Sequence, residues 1–302
     1  MEPTSIAGLK ISPIGLGTGR LASLGAGHSF REVARLLDSA FDLGITFIDT
    51  ADTYGSTASE RWLGKAMHRR PDRFVVATKC GLPTAHLRGP LSPLNQPAKK
   101  ILQRTGRRGH YLEAGYVRRS IDGSLRRLSR ERIEFFFLHE PPLGVERMDA
   151  LFEVLEEAKA NGKIAAYGVC SPDLRVIDAV TRVRKCTIAQ TAVDPQRTPA
   201  LTTFLDSAHR LKDLELIAHG AIRGGRLLDL KAGGQARGTG SQLPEHHERG
   251  PALGFNKAQR LVRHAAAVKQ VRAVLIGTAN PAHLAESVAA LATPTTYRDI
   301  LA

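Results

Sequence analysis

Cysteine is nearly absent: Cys80, Cys170 and Cys186 are the three in 302 residues, widely spaced and odd in number. That excludes a disulfide framework, and no Cys-x-x-Cys pair is present to hold a metal. Long apolar runs are missing too. None approaches the roughly 18 residues of a membrane span, and the opening Met1-Glu2-Pro3-Thr4-Ser5 lacks the basic and apolar regions of a signal peptide. A cytoplasmic protein that meets no membrane is the expectation. Acidic charge is the minority, with 29 Asp+Glu against 43 Lys+Arg and a formal net charge of +14. Basic clusters lie at Lys99 to Arg108, at Arg118-Arg119 and Arg126-Arg127, and at Arg182 to Lys185. No aromatic residues are interleaved to stack bases, so these read as solvated helix faces and attraction for anionic cofactors or substrates rather than a nucleic-acid surface.

What is present is enough apolar material for a large core, 42% hydrophobic against 24% charged. The apolar residues follow one rhythm. A short hairpin pattern around Gly8 leads into a first strand near Gly15. Helical spacing over Phe30 to Leu43 stops at Gly44, and Ile45 to Ile48 is β-rich. Further strands are expected at Phe74 to Thr78, Ile133 to Leu138, Ile164 to Val169, Thr187 to Ala189, Leu214 to Ala218 and Ala273 to Ile276. Helices are expected between them, at Glu60 to Met67, Tyr116 to Leu128, Met148 to Ala160, Leu174 to Val183 and Ala200 to Leu211. Two more follow at Lys257 to Val268 and Ala282 to Leu291. Eight strands alternating with eight helices imply an α/β fold, a (β/α)8 barrel with a short N-terminal β-hairpin, as a single domain over residues 1–302. Two connections, 81–115 and 224–254, are long for a bare barrel and fall on the strands' C-terminal side, where barrels build active sites.

Residues just past the strand ends should therefore share one cavity. Asp49 and Tyr54 follow the second strand, Lys79 the third and His139 the fourth. An ammonium lowers the pKa of a nearby phenol, and a lysine at a buried rim needs a counter-ion such as Asp49. His139 is placed to hydrogen-bond a carbonyl oxygen or relay a proton. This set suits protonating an oxygen while hydride arrives at the attached carbon.

These residues carry a resemblance. The opening Gly8 to Thr18, the block FIDTADTYGSTASERWLG from Phe47 to Gly64, VVATKCG around Lys79 and FFFLHEPP around His139 resemble the aldo-keto reductase superfamily over nearly the whole chain. The resemblance implies NAD(P)H-dependent reduction of an aldehyde or ketone, a small-molecule carbonyl, with Tyr54 as acid, Lys79 and Asp49 tuning it, and His139 orienting the carbonyl. For the cofactor it implies Thr18, then Ser171 in Gly168-Val169-Cys170-Ser171 and Gln190 at the carboxamide, with His219 stacked on nicotinamide. It also implies Gly224, Gly225 and Leu227 along the pyrophosphate, and Gly277, Thr278, Asn280, His283, Glu286 and Ser287 around the adenosine phosphate. His283 stands where many relatives have arginine and Ser287 where they have asparagine. NADP(H) is the implied cofactor, with NAD(H) the alternative. Glu140 departs from members that carry tryptophan there, which implies a less hydrophobic pocket.

Two patterns are set aside. Gly15-x-Gly17-x-Gly19 imitates a dinucleotide fingerprint, but its third glycine comes too early and no helix opens at once. His246-His247, flanked by Glu245 and Glu248, is read as exposed polar sequence, so no metal is expected. The rival functional reading is a nicotinamide-nucleotide-binding sensor or regulatory subunit with little turnover.

Overall fold

Alternating strand and helix periods leave each strand little choice but to pair with the next one in parallel. The computed structural model describes residues 1–19, 21, 28–68, 70–82, 111–184, 186–222 and 255–292. It begins with an antiparallel hairpin, β1 (Thr4–Ile6) and β2 (Leu9–Ile11), turned by Ala7 and Gly8 with φ of 47° and 78°. The barrel follows: β3 (Ile14–Gly17), β4 (Phe47–Asp49), β5 (Val75–Cys80), β6 (Ile133–His139), β7 (Ile164–Cys170), β8 (Ile188–Ala192), β9 (Glu215–His219) and β10 (Val271–Ile276). The strands run parallel in chain order, and β10 pairs with β3 to close the ring. The expected (β/α)8 barrel and its hairpin are therefore present.

The helices of the described residues are α1 (Phe30–Asp42), α2 (Ala58–Met67), α3 (Ala114–Leu128), α4 (Asp149–Ala160), α5 (Leu174–Arg184), α6 (Thr198–Asp206), α7 (Lys257–Ala266) and α8 (Pro281–Ala292). Their ends are chemically marked. Ser29 with Glu32, and Asn256 with Gln259, form capping boxes at α1 and α7. Gly162, at φ 72°, follows α4, while Asn280 Oδ1 accepts the Ala282 N–H at the start of α8. The helix expected through Leu211 stops early. Ala208 is extended (φ −151°), and a separate 3-10 turn spans His209–Asp213. Strand β8 runs on to Ala192, because the polar Gln190 and Thr191 interrupt its apolar signal while their side chains are buried.

Phenylalanines fill the barrel, with Phe47 and Phe135 meeting edge to face at 5.9 Å between ring centroids. Outside it, several arginines of the basic clusters face acids, as in Arg118 with Glu157 at 2.5 Å and Arg127 with Glu60 at 2.6 Å. Helices α2 and α3 cross at Gly64, where a Cβ would lie 2.2 Å from the Arg127 carbonyl oxygen and 2.8 Å from the Leu128 carbonyl carbon. Backbone cannot rotate away as a side chain can. Gly64→Ala is expected to cost about 1–3 kcal/mol, read as a lower thermal midpoint with the fold otherwise intact.

Candidate active site

The β4 strand ends at Asp49, and the chain then turns back over the barrel mouth. Thr50 N–H donates to Ala77 O at 2.8 Å, and Asp52 N–H to Lys79 O at 3.0 Å, so the turn is tied to β5. Gly55, Ser56 and Thr57 follow with φ of 58°, 51° and 72°. A left-handed conformation costs an ordinary residue about 1–2 kcal/mol, and here it reverses the chain just after Tyr54. A buried hydroxyl chain offsets the strain. Thr18 Oγ1 lies 2.8 Å from Ser59 Oγ, Ser59 Oγ 2.9 Å from Thr50 Oγ1, and Thr18 Oγ1 donates to Asp49 O at 3.0 Å.

The tetrad read from the sequence converges in space. Lys79 Nζ is fully buried and donates to Asp49 Oδ1 and Oδ2 at 2.7 and 2.6 Å, to Thr50 O at 2.9 Å, and toward Tyr54 Oη at 3.4 Å. The His139 ring stands edge to face against Tyr54, with centroids 6.0 Å apart. Burial alone would strip the proton from Lys79, but the Asp49 carboxylate overrides it and holds the ammonium charged. For Tyr54 the balance falls the other way. Burial pushes the phenol up to about 12, and Lys79 pulls it down without reversing the shift. The sequence-based expectation of a lowered phenol is corrected: Tyr54 keeps its proton, because burial outweighs the pull of Lys79.

Asp49, Tyr54 and His139 face a cavity of about 770 Å3. Asp49, Tyr54, His139, Gln190 and His219 form one part of its wall, and Gly277, Thr278, His283, Glu286 and Ser287 another. Four anticipated residues lie off the wall. Lys79 sits behind it, the Thr18 hydroxyl is occupied within the loop, Ser171 Oγ accepts the Asp173 N–H, and Asn280 caps α8. Gly224, Gly225 and Leu227 lie outside the described residues, as do most of the long connections 81–115 and 224–254 and the His246-His247 pair.

The wall also includes residues that sequence reasoning missed or set aside. Gly17 and Gly19, dismissed with the dinucleotide pattern, line the mouth, and a Cβ at Gly19 would lie 3.3 Å from the Tyr54 ring. Cys170, in the Gly-Val-Cys-Ser block, faces the cavity, as do Glu140, Ala221 and Ile222. His28 and Gln259 carry no local signal; only their position in the closed barrel puts them there.

Two features suit a nicotinamide. Gln190 Oε1 is buried without a partner among the described residues, which leaves an acceptor for a carboxamide N–H. His219 is pushed down to about 4 by burial, then by Lys79 and Arg197, so its ring is neutral and can stack without a charge.

Behind the tetrad, Asp52 is buried and accepts from Ser120 Oγ at 3.2 Å and Tyr116 Oη at 3.4 Å. Burial first, then Glu60, raises its carboxyl from 3.8 to about 7. The folded state thus keeps a proton that the unfolded chain has released, and stability falls as pH rises from about 4 to about 7. Asp52→Asn removes this dependence. In thermal melts across that range the variant is expected to gain on the parent with rising pH, and a constant difference would refute the assignment.

Comparison with known proteins extends this picture. The model of the family described as "Aldo/keto reductase family" matches residues 13–301. A 6-dehydroglucose reductase of Novosphingobium aromaticivorans is 29% identical over 294 residues, covering 87% of this chain and 88% of that protein. An L-galactose dehydrogenase of Arabidopsis thaliana is 24% identical over 318 residues, covering 94% and 85%. Among solved structures, a Klebsiella pneumoniae aldo-keto reductase in complex with NADPH superposes with a TM-score of 0.71 at 19% identity, covering 99% of this chain and 93% of that one.

Proposed function

The chain belongs to the aldo/keto reductase family, and on that premise we propose that it reduces aldehydes or ketones to alcohols with NADP(H), Tyr54 acting as the general acid. One observation carries the reading: a protonated, cavity-facing Tyr54 lies 3.4 Å from the buried Lys79 ammonium, itself locked to Asp49. Bound in the cleft, the reduced nicotinamide would supply hydride to the carbonyl carbon.

The protein's own groups do the rest. The carbonyl oxygen sits between Tyr54 and His139, as negative charge develops there Tyr54 donates its proton, and the phenolate left behind is stabilised by Lys79. Asp49 keeps Lys79 charged throughout, so the ammonium is ready before charge appears. His139 orients the oxygen. Gln190 Oε1 and the neutral His219 ring would hold and cover the nicotinamide, and Gly277, Thr278, His283, Glu286 and Ser287 would line its adenosine end. The positive end of the α8 dipole would favour a phosphate there.

Glu140 on the cavity wall adds a hydroxyl-accepting carboxylate beside the reacting groups. With two relatives whose names concern sugars, it favours polyhydroxylated carbonyls over flat aromatic ones.

Fluorescence titration with NADPH and with NADH, followed by an aldehyde and aldose panel at saturating cofactor, tests the proposal. Tight NADPH binding with turnover is the expected result. Binding without turnover of any carbonyl would favour the sensor reading, and absence of binding would overturn both.

A further inference from the structure

We propose that the groove between α2 and α3, on the outside of the barrel, is a binding site for a small anion carrying adjacent phosphoryl groups, separate from the catalytic cavity. The groove has a volume of about 540 Å3 and is lined by Arg61, Lys65, His68, Arg126, Arg127 and Ser129, with Gly64 at its floor. None of the residues that line the catalytic cavity takes part in it.

The charge balance carries the argument. Among the described residues, four permanent cations converge on one concavity and no acid lines it. Glu60, which pairs with one of them, is fully buried and already engaged, accepting from Arg127 Nε at 2.6 Å and Thr78 Oγ1 at 2.7 Å. Three positive charges therefore remain without a carboxylate partner among the described residues. The C-terminal ends of α2 and α3 point into this region and supply about half a negative charge each. That leaves an excess of about two charges, which a dianionic or more highly charged ligand would neutralise.

The cations are also held in place. Arg61 Nη1 donates to Thr57 Oγ1 at 2.7 Å, and Arg127 Nη2 to Ser124 Oγ at 3.2 Å. Lys65 Nζ stands 4.4 Å from the centre of the Phe30 ring, a contact that steadies the side chain and supplies no counter-charge. The two arginines feel each other: Arg61 is pushed down by partial burial and then by Arg127. Close guanidinium groups that repel one another are the arrangement that a bridging anion stabilises. The near contact of α2 with α3 at Gly64 keeps both helices' arginines on one groove.

Among the described residues the lining contains no Phe, Tyr or Trp, and the His68 imidazole is the one ring, so a nucleobase finds little surface to stack on. Recognition is confined to the phosphoryl groups, and the forked guanidiniums favour two of them over one.

The test is calorimetric titration of the full-length protein with sodium pyrophosphate and, separately, with inorganic phosphate, at about 50 mM salt, where screening is modest. The expected result is saturable pyrophosphate binding, at least about tenfold tighter than phosphate and undiminished by saturating NADPH. Arg61→Gln with Arg126→Gln should weaken it by about tenfold or more while NADPH affinity stays unchanged. Three results would overturn the proposal: no pyrophosphate binding, binding that NADPH displaces, or binding indifferent to the double substitution. Unaltered NADPH affinity in the double variant establishes that it is folded, so loss of pyrophosphate binding then reports on the groove.

Discussion

Tyr54→Phe is expected to lower kcat for carbonyl reduction by about 10²–10⁴ while NADPH affinity stays nearly unchanged. Phenylalanine keeps the ring and its edge-to-face contact with His139, whose centroid lies 6.0 Å away. It removes only the Oη proton and the contact to Lys79 at 3.4 Å. That contact is long and shares the ammonium with three shorter bonds to Asp49 and Thr50, so its loss leaves the ion pair standing. The effect should therefore fall on the chemical step. Single-turnover hydride transfer would separate chemistry from product release, and a fluorescence titration would report cofactor affinity. A variant that reduces carbonyls at the parent rate removes Tyr54 from the acid role, and one that loses NADPH affinity makes it a binding residue instead.

The second large effect concerns the buried pair. Removing one partner of a buried, hydrogen-bonded ion pair leaves the other without compensation and costs about 3–5 kcal/mol. Lys79→Met should do so, because Asp49 keeps its burial and loses its cation. The stranded carboxyl would rise in pKa, so the folded state would hold a proton that the unfolded chain releases. The variant's deficit should accordingly grow as pH rises above the carboxylate range and shrink in acid. Adding Asp49→Leu removes the stranded group, and the double variant should recover most of the lost stability. It should not recover turnover. Without the ammonium the developing phenolate of Tyr54 has no stabilising charge, and kcat should stay down by about 10²–10³ in both variants. Denaturant unfolding and steady-state reduction measured on the same preparations test the separation. A double variant no more stable than Lys79→Met would mean that the pair is not the source of the cost, and a double variant with restored turnover would remove Lys79 from the mechanism.

The degree to which this site can be read in the sequence follows from where each part is encoded. Asp49, Lys79 and His139 each stand at the end of a strand, and Tyr54 follows within one turn. A strand's end is marked by local composition, so the four could be collected without knowing how the barrel closes. The environment of Tyr54 was not legible in that way. Its phenol goes up because burial outweighs Lys79, and burial is set by the surrounding chain. Asp52 makes the same point. In sequence it is one more acid in a polar loop, while in the structure it is sealed among Glu60, Ser120 and Tyr116 and titrates near 7. The resemblance implies Thr18 and Ser171 as cofactor contacts; the structure ties their hydroxyls into loop and turn hydrogen bonds.

By itself the sequence determined the order of strands and helices, the barrel class and the four groups at the strand ends. Periodicity, caps and breakers act over a few residues and need no partner to be recognised. Only the tertiary structure decided which groups meet. Pairing of β10 with β3 sets Ile276 beside Leu16 and so brings Gly277, Thr278 and α8 to the same cavity as Gly17 and Tyr54. The crossing at Gly64 likewise puts arginines of α2 and α3 on one groove. Both depend on closure and close packing, which join residues far apart in the chain and leave no mark in any short stretch of it.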